Sequence, residues 1–381
     1  MRGEGPTILL AAGEASGDLH GAAVARALLR RWPRARLYGL GGPRMAEAGV
    51  ELLAGIERLA VMGFVEVAVR LPYFVRLFRR MGRELRRRAT DLALPIDYPG
   101  FNLRLARAAR RAGVPVLYYI APQVWAWRPG RAEALARWTD RLAVILPFEE
   151  ALFRRAGARA SYVGHPLLDA PPVAVSRADF CARWGLDPDR PILALLPGSR
   201  PQEVARHLGL FAEAAARVRA ARPEVQPAVA APPGMPAGAY AGVPGPVCED
   251  ARALLHHARA ALVKSGTGTL EAALAGTPLV IAYRTHPATY WLARRLVRLD
   301  RVGLVNLVAG EPVAPEYLQG EATPDALAAA LLPLLDDGPA RTAMLEGLAR
   351  ARAALAVDGR GPGGVADRVA ALAAELLEGR A

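Results

Sequence analysis

Ile192-Leu193-Ala194-Leu195-Leu196-Pro197-Gly198-Ser199-Arg200 is the stretch that decides the fold. Its apolar run reads as a short strand buried on both faces. The Pro-Gly pair breaks the strand, and Ser199 and Arg200 open a helix that runs on from about Gln202. A strand that turns directly into a helix is the repeating element of a parallel α/β sheet. The helix start leaves unpaired N–H groups and a positive dipole end near Gly198 and Ser199. Arg200 adds a full charge with a planar fork of donors. Such a turn suits a phosphate or diphosphate; an ordinary strand-to-helix turn with a solvated arginine is the plain alternative.

The same pattern extends in both directions. Upstream, Thr7 to Ala12 reads as a strand, Gly13-Glu14-Ala15-Ser16-Gly17-Asp18 as a Gly-rich turn, and Leu19 to Arg31 as an amphipathic helix. Strands are expected at Arg36 to Leu40, Leu92 to Ile96, Val114 to Ile120, Arg141 to Ile145 and Ala160 to Val163, with helices between them. After the linker Asp169-Ala170-Pro171-Pro172 the pattern restarts. It runs through Ile192 and strands at Gln226 to Ala230, Ala260 to Val263 and Pro278 to Ala282. Helices at Pro324 to Leu335, Ala340 to Leu355 and Gly364 to Leu377 finish the chain. The expected fold is therefore α/β, with two Rossmann-like domains, 1–170 and 171–355, facing each other across a cleft. A C-terminal helix within 356–381 is expected to pack back on the first domain or on a partner, which leaves room for a homodimer.

At 381 residues the chain has the length of two ordinary domains, and 52% hydrophobic with 22% charged residues is a globular composition. The net charge of +13 comes from arginine, with Lys264 the only lysine. A bias of that kind partly reflects codon usage, so the basic balance does not argue for nucleic acid. Cys181 and Cys248 lie outside any CxxC spacing, which fits a reducing cytosol. Met1 to Pro6 has no apolar signal region. The uncharged run Val225 to Cys248 is long enough to span a bilayer, but it carries Pro227, Pro232, Pro233, Pro236, Pro244 and Pro246 and reads as a loop.

Several turns carry candidate chemistry. The first is not a Walker A loop, because it lacks the Gly-Lys-Ser/Thr ending. Gly39-Leu40-Gly41-Gly42 does not complete GxGxxG, since Arg44 holds the last glycine position. Glu14, Ser16, Asp18 and His20 crowd proton-handling groups at the end of a strand, although Ser16 or Asp18 would equally serve as a helix cap. Lys264-Ser265-Gly266-Thr267-Gly268-Thr269-Leu270-Glu271 follows a strand and opens a helix whose start would expose N–H groups to an anion. Glu271 could then accept hydrogen bonds from the hydroxyls of a ribose, with a capping box as the alternative. Asp97, just beyond a buried strand, either caps the following helix or faces the cleft as a general base. Trp125 and Trp127 belong to an aromatic loop that would pack on a sugar or acyl chain, or roof the core.

Pro72 to Arg88 carries the strongest surface signal. Phe74, Leu77, Phe78, Met81 and Leu85 fall on one helical face, and Arg76, Arg79, Arg80, Arg83, Arg86 and Arg87 on the other. A basic amphipathic helix suits an anionic membrane surface; the alternative is an ordinary helix with its apolar side on the core. No HExxH occurs, and Asp187-Pro188-Asp189 reads as a turn, so no metal site is expected.

Taken together, many of these stretches resemble one family, the bacterial lipid-A-disaccharide synthases. The matching segments begin with Ala12-Gly13-Glu14-Ala15-Ser16-Gly17-Asp18, Gly42-Pro43-Arg44-Met45, Val61-Met62-Gly63, Ile96-Asp97-Tyr98-Pro99-Gly100-Phe101-Asn102 and Val124-Trp125-Ala126-Trp127-Arg128. Then come Leu146-Pro147-Phe148-Glu149, Val163-Gly164-His165-Pro166, Leu196 to Arg200, Ser265-Gly266-Thr267 with Leu270-Glu271, Tyr283-Arg284 and Asn306 to Gly310. The resemblance implies a GT-B glycosyltransferase that joins UDP-2,3-diacylglucosamine to 2,3-diacylglucosamine 1-phosphate, with inversion and with no metal or other cofactor. It implies work at the cytoplasmic face of the inner membrane. By position, Asp97 matches the family's catalytic aspartate, with His20 as its competitor for the role of base, and Arg200 matches the essential nucleotide-side arginine. Glu271 and the Ser265 to Thr269 turn match the UDP-contacting loop, and Asn306 matches an asparagine at the cleft. The chain departs from the pattern at Gly100, where many members carry a second acid, and in a shorter Pro-rich run. An epimerase acting on UDP-N-acetylglucosamine, or a non-catalytic sugar-nucleotide or lipid-binding protein, are the alternative readings.

Overall fold

The computed structural model describes residues 5–58, 64–124, 130–231, 235, 237–240, 242–285, 301–357 and 363–379. The chain forms two units, one of residues 1–169 with 357–381 and one of residues 170–356.

In the first unit, strands and helices alternate: β1 (Thr7–Ala11), α1 (Ala15–Arg31), β2 (Arg36–Gly41), α2 (Pro43–Glu47), β3 (Glu51–Gly55), α3 (Phe64–Arg87) and β4 (Leu92–Pro95). Then follow α4 (Pro99–Arg111), β5 (Leu117–Tyr119), α5 (Gly130–Trp138), β6 (Arg141–Val144), α6 (Pro147–Arg155) and β7 (Ala160–Tyr162). All pairings are parallel, in the orders β3-β2-β1-β4 and β5-β6-β7, and the bridges Ala93–Val116 and Ile96–Tyr119 join the two sets. Alternation along β1 gives each face of this sheet its own core. Leu9 and Ala11 enter one cluster with Tyr38, Met81 and Phe153, and Ile8 and Leu10 enter the other with Leu28, Met45 and Ile96.

The second unit repeats the plan with α7 (Arg177–Trp184), β8 (Ile192–Leu196), α8 (Pro201–Ala221), β9 (Gln226–Ala230), β10 (Val247–Cys248), α9 (Ala251–His257) and β11 (Ala260–Lys264). It continues through α10 (Gly268–Ala275), β12 (Leu279–Tyr283), α11 (Leu304–Ala309), β13 (Glu316–Leu318), α12 (Pro324–Leu335) and α13 (Pro339–Ala354). Its parallel sheet has the order β10-β9-β8-β11-β12-β13, and β8 is buried on both faces as its apolar run requires. The last helix, α14 (Val365–Glu378), returns to the first unit and packs on α1. Val365, Val369 and Ala373 are buried there, and the ion pairs Arg30–Asp367 and Arg141–Glu375, both at 2.6 Å, lie at the surface. Exposed pairs of this kind add little, so apolar burial holds the helix.

In each sheet the strand order reverses once, between β1 and β4 and between β8 and β11. Ligands of open α/β sheets bind beyond the strand ends at such a point. Three strands, β3, β10 and β13, were not expected from the sequence; β10 and β13 have only two and three residues. α1 begins at Ala15, so Ser16 and Asp18 lie inside the helix, and neither caps it. α3 begins at Phe64 and holds Pro72 in its interior instead of starting there. Asp187 makes the expected turn by accepting from the Asp189 N–H at 2.9 Å. Among the described residues no helix is long and apolar enough to cross a membrane.

Candidate active site

At the first reversal, β4 ends in two left-handed residues, Asp97 (φ 46°) and Tyr98 (φ 48°). Neither is glycine, and each such position costs about 1–3 kcal/mol unless its surroundings over-determine it. Here they do. The Asp97 N–H donates to the Tyr119 carbonyl at 2.9 Å. Its own carbonyl accepts from Asn102 Nδ2 and from the Tyr118 hydroxyl, both at 2.8 Å. Asn102, only 1% exposed, also donates to the carbonyls of Ala11 at 2.9 Å and Ile96 at 3.0 Å, and so ties the ends of β1 and β4 together. The Tyr98 ring lies against Gly13, where any Cβ would collide with it. Backbone strain held in this way clusters at functional sites. A side chain at Gly100 would meet nothing within 4 Å, so the missing second acid is a chemical absence and not a steric one.

The neighbouring polar residues divide. Asp18 is 2% exposed, and its carboxylate accepts from the N–H groups of Gly42 at 2.7 Å, Met45 at 3.0 Å and Arg44 at 3.1 Å. It fixes the second Gly-rich turn and offers a ligand nothing, contrary to the sequence expectation. Ser16 is exposed and Glu14 half-buried, and burial first, then the Glu14 charge, raises the Tyr98 hydroxyl. Burial lowers His20 to about 4. His165 is likewise lowered to about 4, by burial first and then by the charge of His20. Burial thus takes His20 out of the range near neutrality in which an imidazole usually serves as a base.

The depressed pair has a consequence for stability. Between about pH 6.5 and 4 the unfolded chain binds more protons than the folded one, so folding stability is complete above this window and is lost as pH falls through it. Urea midpoints at pH 7.5 and 5 are expected to differ less in the double variant His20→Gln/His165→Gln than in the unaltered chain. An identical difference would refute this origin.

At the second reversal, Arg200 stands exposed at the start of α8 and Ser199 just before it. Gly198 has φ 143°, and the Glu203 side chain covers it where a Cβ would be. After β11, the N–H groups of Gly266, Thr267 and Gly268 have no partner among the described residues, as the open start of α10 requires. The carboxylate of half-buried Glu271 has no hydrogen bond among them either, while its N–H donates to the Thr267 carbonyl at 3.1 Å. Burial pushes its carboxyl up, against a smaller opposing effect of the Arg252 charge. Ser265 and Thr269 behave otherwise. The Ser265 hydroxyl donates to the Val302 carbonyl and the buried Thr269 hydroxyl to that of Gly266, both at 2.8 Å, so both brace the turn and neither faces a ligand.

Asn306, 1% exposed, is also spent. Its Nδ2 donates to Ala314 O at 2.8 Å and to Glu316 at 2.7 Å, and its Oδ1 accepts from the N–H groups of Val313 and Ala314, both at 2.9 Å. It positions the α11–β13 loop and is not itself a ligand contact. Sequence reasoning missed three groups. One is Asn102 as a brace. The second is His207, which links Glu203 O to the Arg284 N–H. The third is Glu203, whose place three residues after Arg200 was the available signal.

α3 settles the question of its apolar face. Leu77 and Met81 are buried in the core cluster, and Phe74 and Phe78 pack against it. That face therefore belongs to the protein interior, which corrects the expectation that it dips into lipid. The arginine edge remains. Arg76, Arg80 and Arg83 are exposed, while Arg87 pairs with Glu84 at 2.7 Å. Together with Tyr73 and Phe78 the exposed three line an open groove of about 1130 Å³. Trp125 and Trp127 lie outside the described residues.

Comparison with known proteins decides between the readings that share this architecture. The calicheamicin glycosyltransferase has a TM-score of 0.59 at 18% identity, covering 99% of both chains. A UDP-GlcNAc 2-epimerase of Neisseria meningitidis scores 0.62 at 10% identity, covering 98% of this chain and all of its own. The GT-B fold is thus common to transferases and epimerases and does not separate them. The family model described as lipid-A-disaccharide synthetase matches residues 8–352. A lipid-A-disaccharide synthase of Geobacter sulfurreducens is 42% identical over 377 residues, 97% of each chain.

The chain belongs to the lipid-A-disaccharide synthase family. Like that family it is a glycosyltransferase of lipid A biosynthesis, and it forms the lipid A disaccharide. The epimerase alternative has only the fold in its favour.

Proposed function

We propose that the first unit binds 2,3-diacylglucosamine 1-phosphate, that the second binds UDP-2,3-diacylglucosamine, and that the sugar is transferred with inversion to the acceptor hydroxyl. The observation that carries this reading is the pairing of each strand reversal with a different chemistry. A carboxylate on a strained, over-braced backbone stands at one, and open N–H groups with an arginine and an unpartnered Glu271 carboxylate at the other. Asp97 takes the proton of the acceptor hydroxyl as it attacks. Arg200 and the N–H groups of Gly266, Thr267 and Gly268 receive the charge that develops on the leaving diphosphate. Glu271 accepts from the ribose hydroxyls, which replace the water it loses on burial. Incubation of the purified chain with radiolabelled UDP-diacylglucosamine and the monosaccharide phosphate is expected to release UDP and a disaccharide 1-phosphate. Release of UDP with no disaccharide would refute the acceptor assignment.

Both lipid substrates reside in a membrane, and the arginine edge of α3 supplies the attraction to its cytoplasmic, anionic surface. Near such a surface each basic side chain contributes about 1 kcal/mol, screened by salt. Reversal of Arg76, Arg80 and Arg83 to glutamate is expected to abolish low-salt sedimentation with phosphatidylglycerol vesicles. Unchanged sedimentation would remove α3 as the electrostatic contact.

A further inference from the structure

The second unit holds an ion pair that the reading above leaves unused. Lys264 Nζ donates to Glu203 Oε1 at 2.8 Å, with the two side chains 15% and 20% exposed. The other oxygen, Oε2, accepts from the Ser199 N–H at 3.0 Å and from the Ser199 hydroxyl at 3.4 Å. The carboxylate therefore sits on the N–H ahead of α8 that would otherwise face an anion, and it is packed over Gly198. Burial pushes the Glu203 carboxyl up, but the hydrogen bond and charge of Lys264, the Ser199 N–H and the Arg200 charge outweigh it. The net shift is downward, so Glu203 is an anion at neutral pH.

An acid three residues into a helix commonly reaches back to cap it, and this accounts for the bond to Ser199. It does not account for Lys264. In a chain whose other long cations are all arginine, this position carries the only lysine. Lys264 ends β11, next to β8 in the sheet, so its ammonium belongs to the same strand reversal as Ser199 and the open turn at Gly266. An ammonium is a compact charge with rotatable donors that passes easily from one anion to another, whereas a guanidinium fork locks onto a carboxylate.

We propose that Glu203 is a stand-in anion which occupies the seat of a nucleoside diphosphate in the ligand-free chain, and that Lys264 is a diphosphate ligand released to the nucleotide when Glu203 is displaced. This rests on the assignment of the donor diphosphate to the β8 and β11 turns. The exchange keeps the buried ammonium paired in both states, which avoids the penalty of an isolated charge. It also lowers the affinity for UDP, because part of each binding event is spent on moving the carboxylate, and product release gains accordingly.

Calorimetric titration with UDP and, separately, with uridine tests the inference. Lys264→Met is expected to weaken UDP by about 10–100-fold, the loss of one charge-assisted hydrogen bond, and to leave uridine unaffected. Glu203→Gln, which keeps an oxygen for Ser199, is expected to tighten UDP by roughly 3–10-fold. The double variant buries no lone charge, guards against misfolding of the single ones, and is expected to bind UDP more weakly than Glu203→Gln but no more weakly than Lys264→Met. Weaker UDP binding by Glu203→Gln would overturn the inference and make the carboxylate a plain cap. So would Lys264→Met altering UDP and uridine alike, or altering neither. If the unaltered chain bound neither ligand, the nucleotide assignment itself would fall, and this inference with it.

Discussion

Asp97→Asn is expected to lower turnover by about 10²–10⁴-fold, the usual loss of a general base, while UDP affinity and thermal stability stay near their original values. Asparagine is the right replacement because Asp97 sits at φ 46°, and among residues with a Cβ asparagine adopts that conformation most readily. It keeps the backbone bonds to Tyr119, Tyr118 and Asn102 and removes the negative charge that would take a proton. Alanine would confound the result by adding backbone strain to the lost chemistry. Retention of most activity by Asp97→Asn, measured as disaccharide formed under saturating substrates, would remove Asp97 from the role. His20→Ala is expected to cost less, as fits a group that orients the acceptor and does not take its proton.

Arg200→Ala is expected to lower turnover by about 10²–10³-fold, the typical consequence of deleting one donor to developing charge. The arginine is exposed at the start of α8, outside the buried core of the second unit, so its removal leaves that core intact. Lysine is expected to recover only part of the rate, because one ammonium cannot reproduce the two parallel donors of a guanidinium on a diphosphate. Steady-state kinetics that showed a raised KM with kcat unchanged would mean that Arg200 serves ground-state binding alone.

The two reversals depended on strands whose burial on both faces is written into their composition, Ile192 to Leu196 above all. The Gly-rich turns after β1, β8 and β11 were legible for the same reason, since a break between an apolar run and a helical period has few structural solutions. Strand order was not legible, because a parallel crossover hides which strands become neighbours. β10 and β13, of two and three residues, were too short to show a period, and β3 was missed although it is as long as β1.

Within the candidate site, residue type singled out the turns but could not say which polar groups were already spent. Asp18 finds its partners around Gly42, Thr269 at Gly266 and Asn306 beyond α11, so each looks like a ligand contact until those partners are in place. The state of His20 depends on burial and on His165, far along the chain. The apolar stripe of α3 was read correctly as a stripe; its period cannot distinguish a core from a lipid surface.

The path of the chain also fixes an order of events during synthesis. The second unit, Ala170 to Ala356, is one uninterrupted segment nested within the first. The flank of α1 around Ala25 and Leu28 shares its cluster with Val369 and Ala373 of α14. A nascent chain therefore completes its middle before its beginning. Until residues 365–378 leave the ribosome, the earliest helix keeps an uncovered apolar side, and the half of the protein made first is the last to become native.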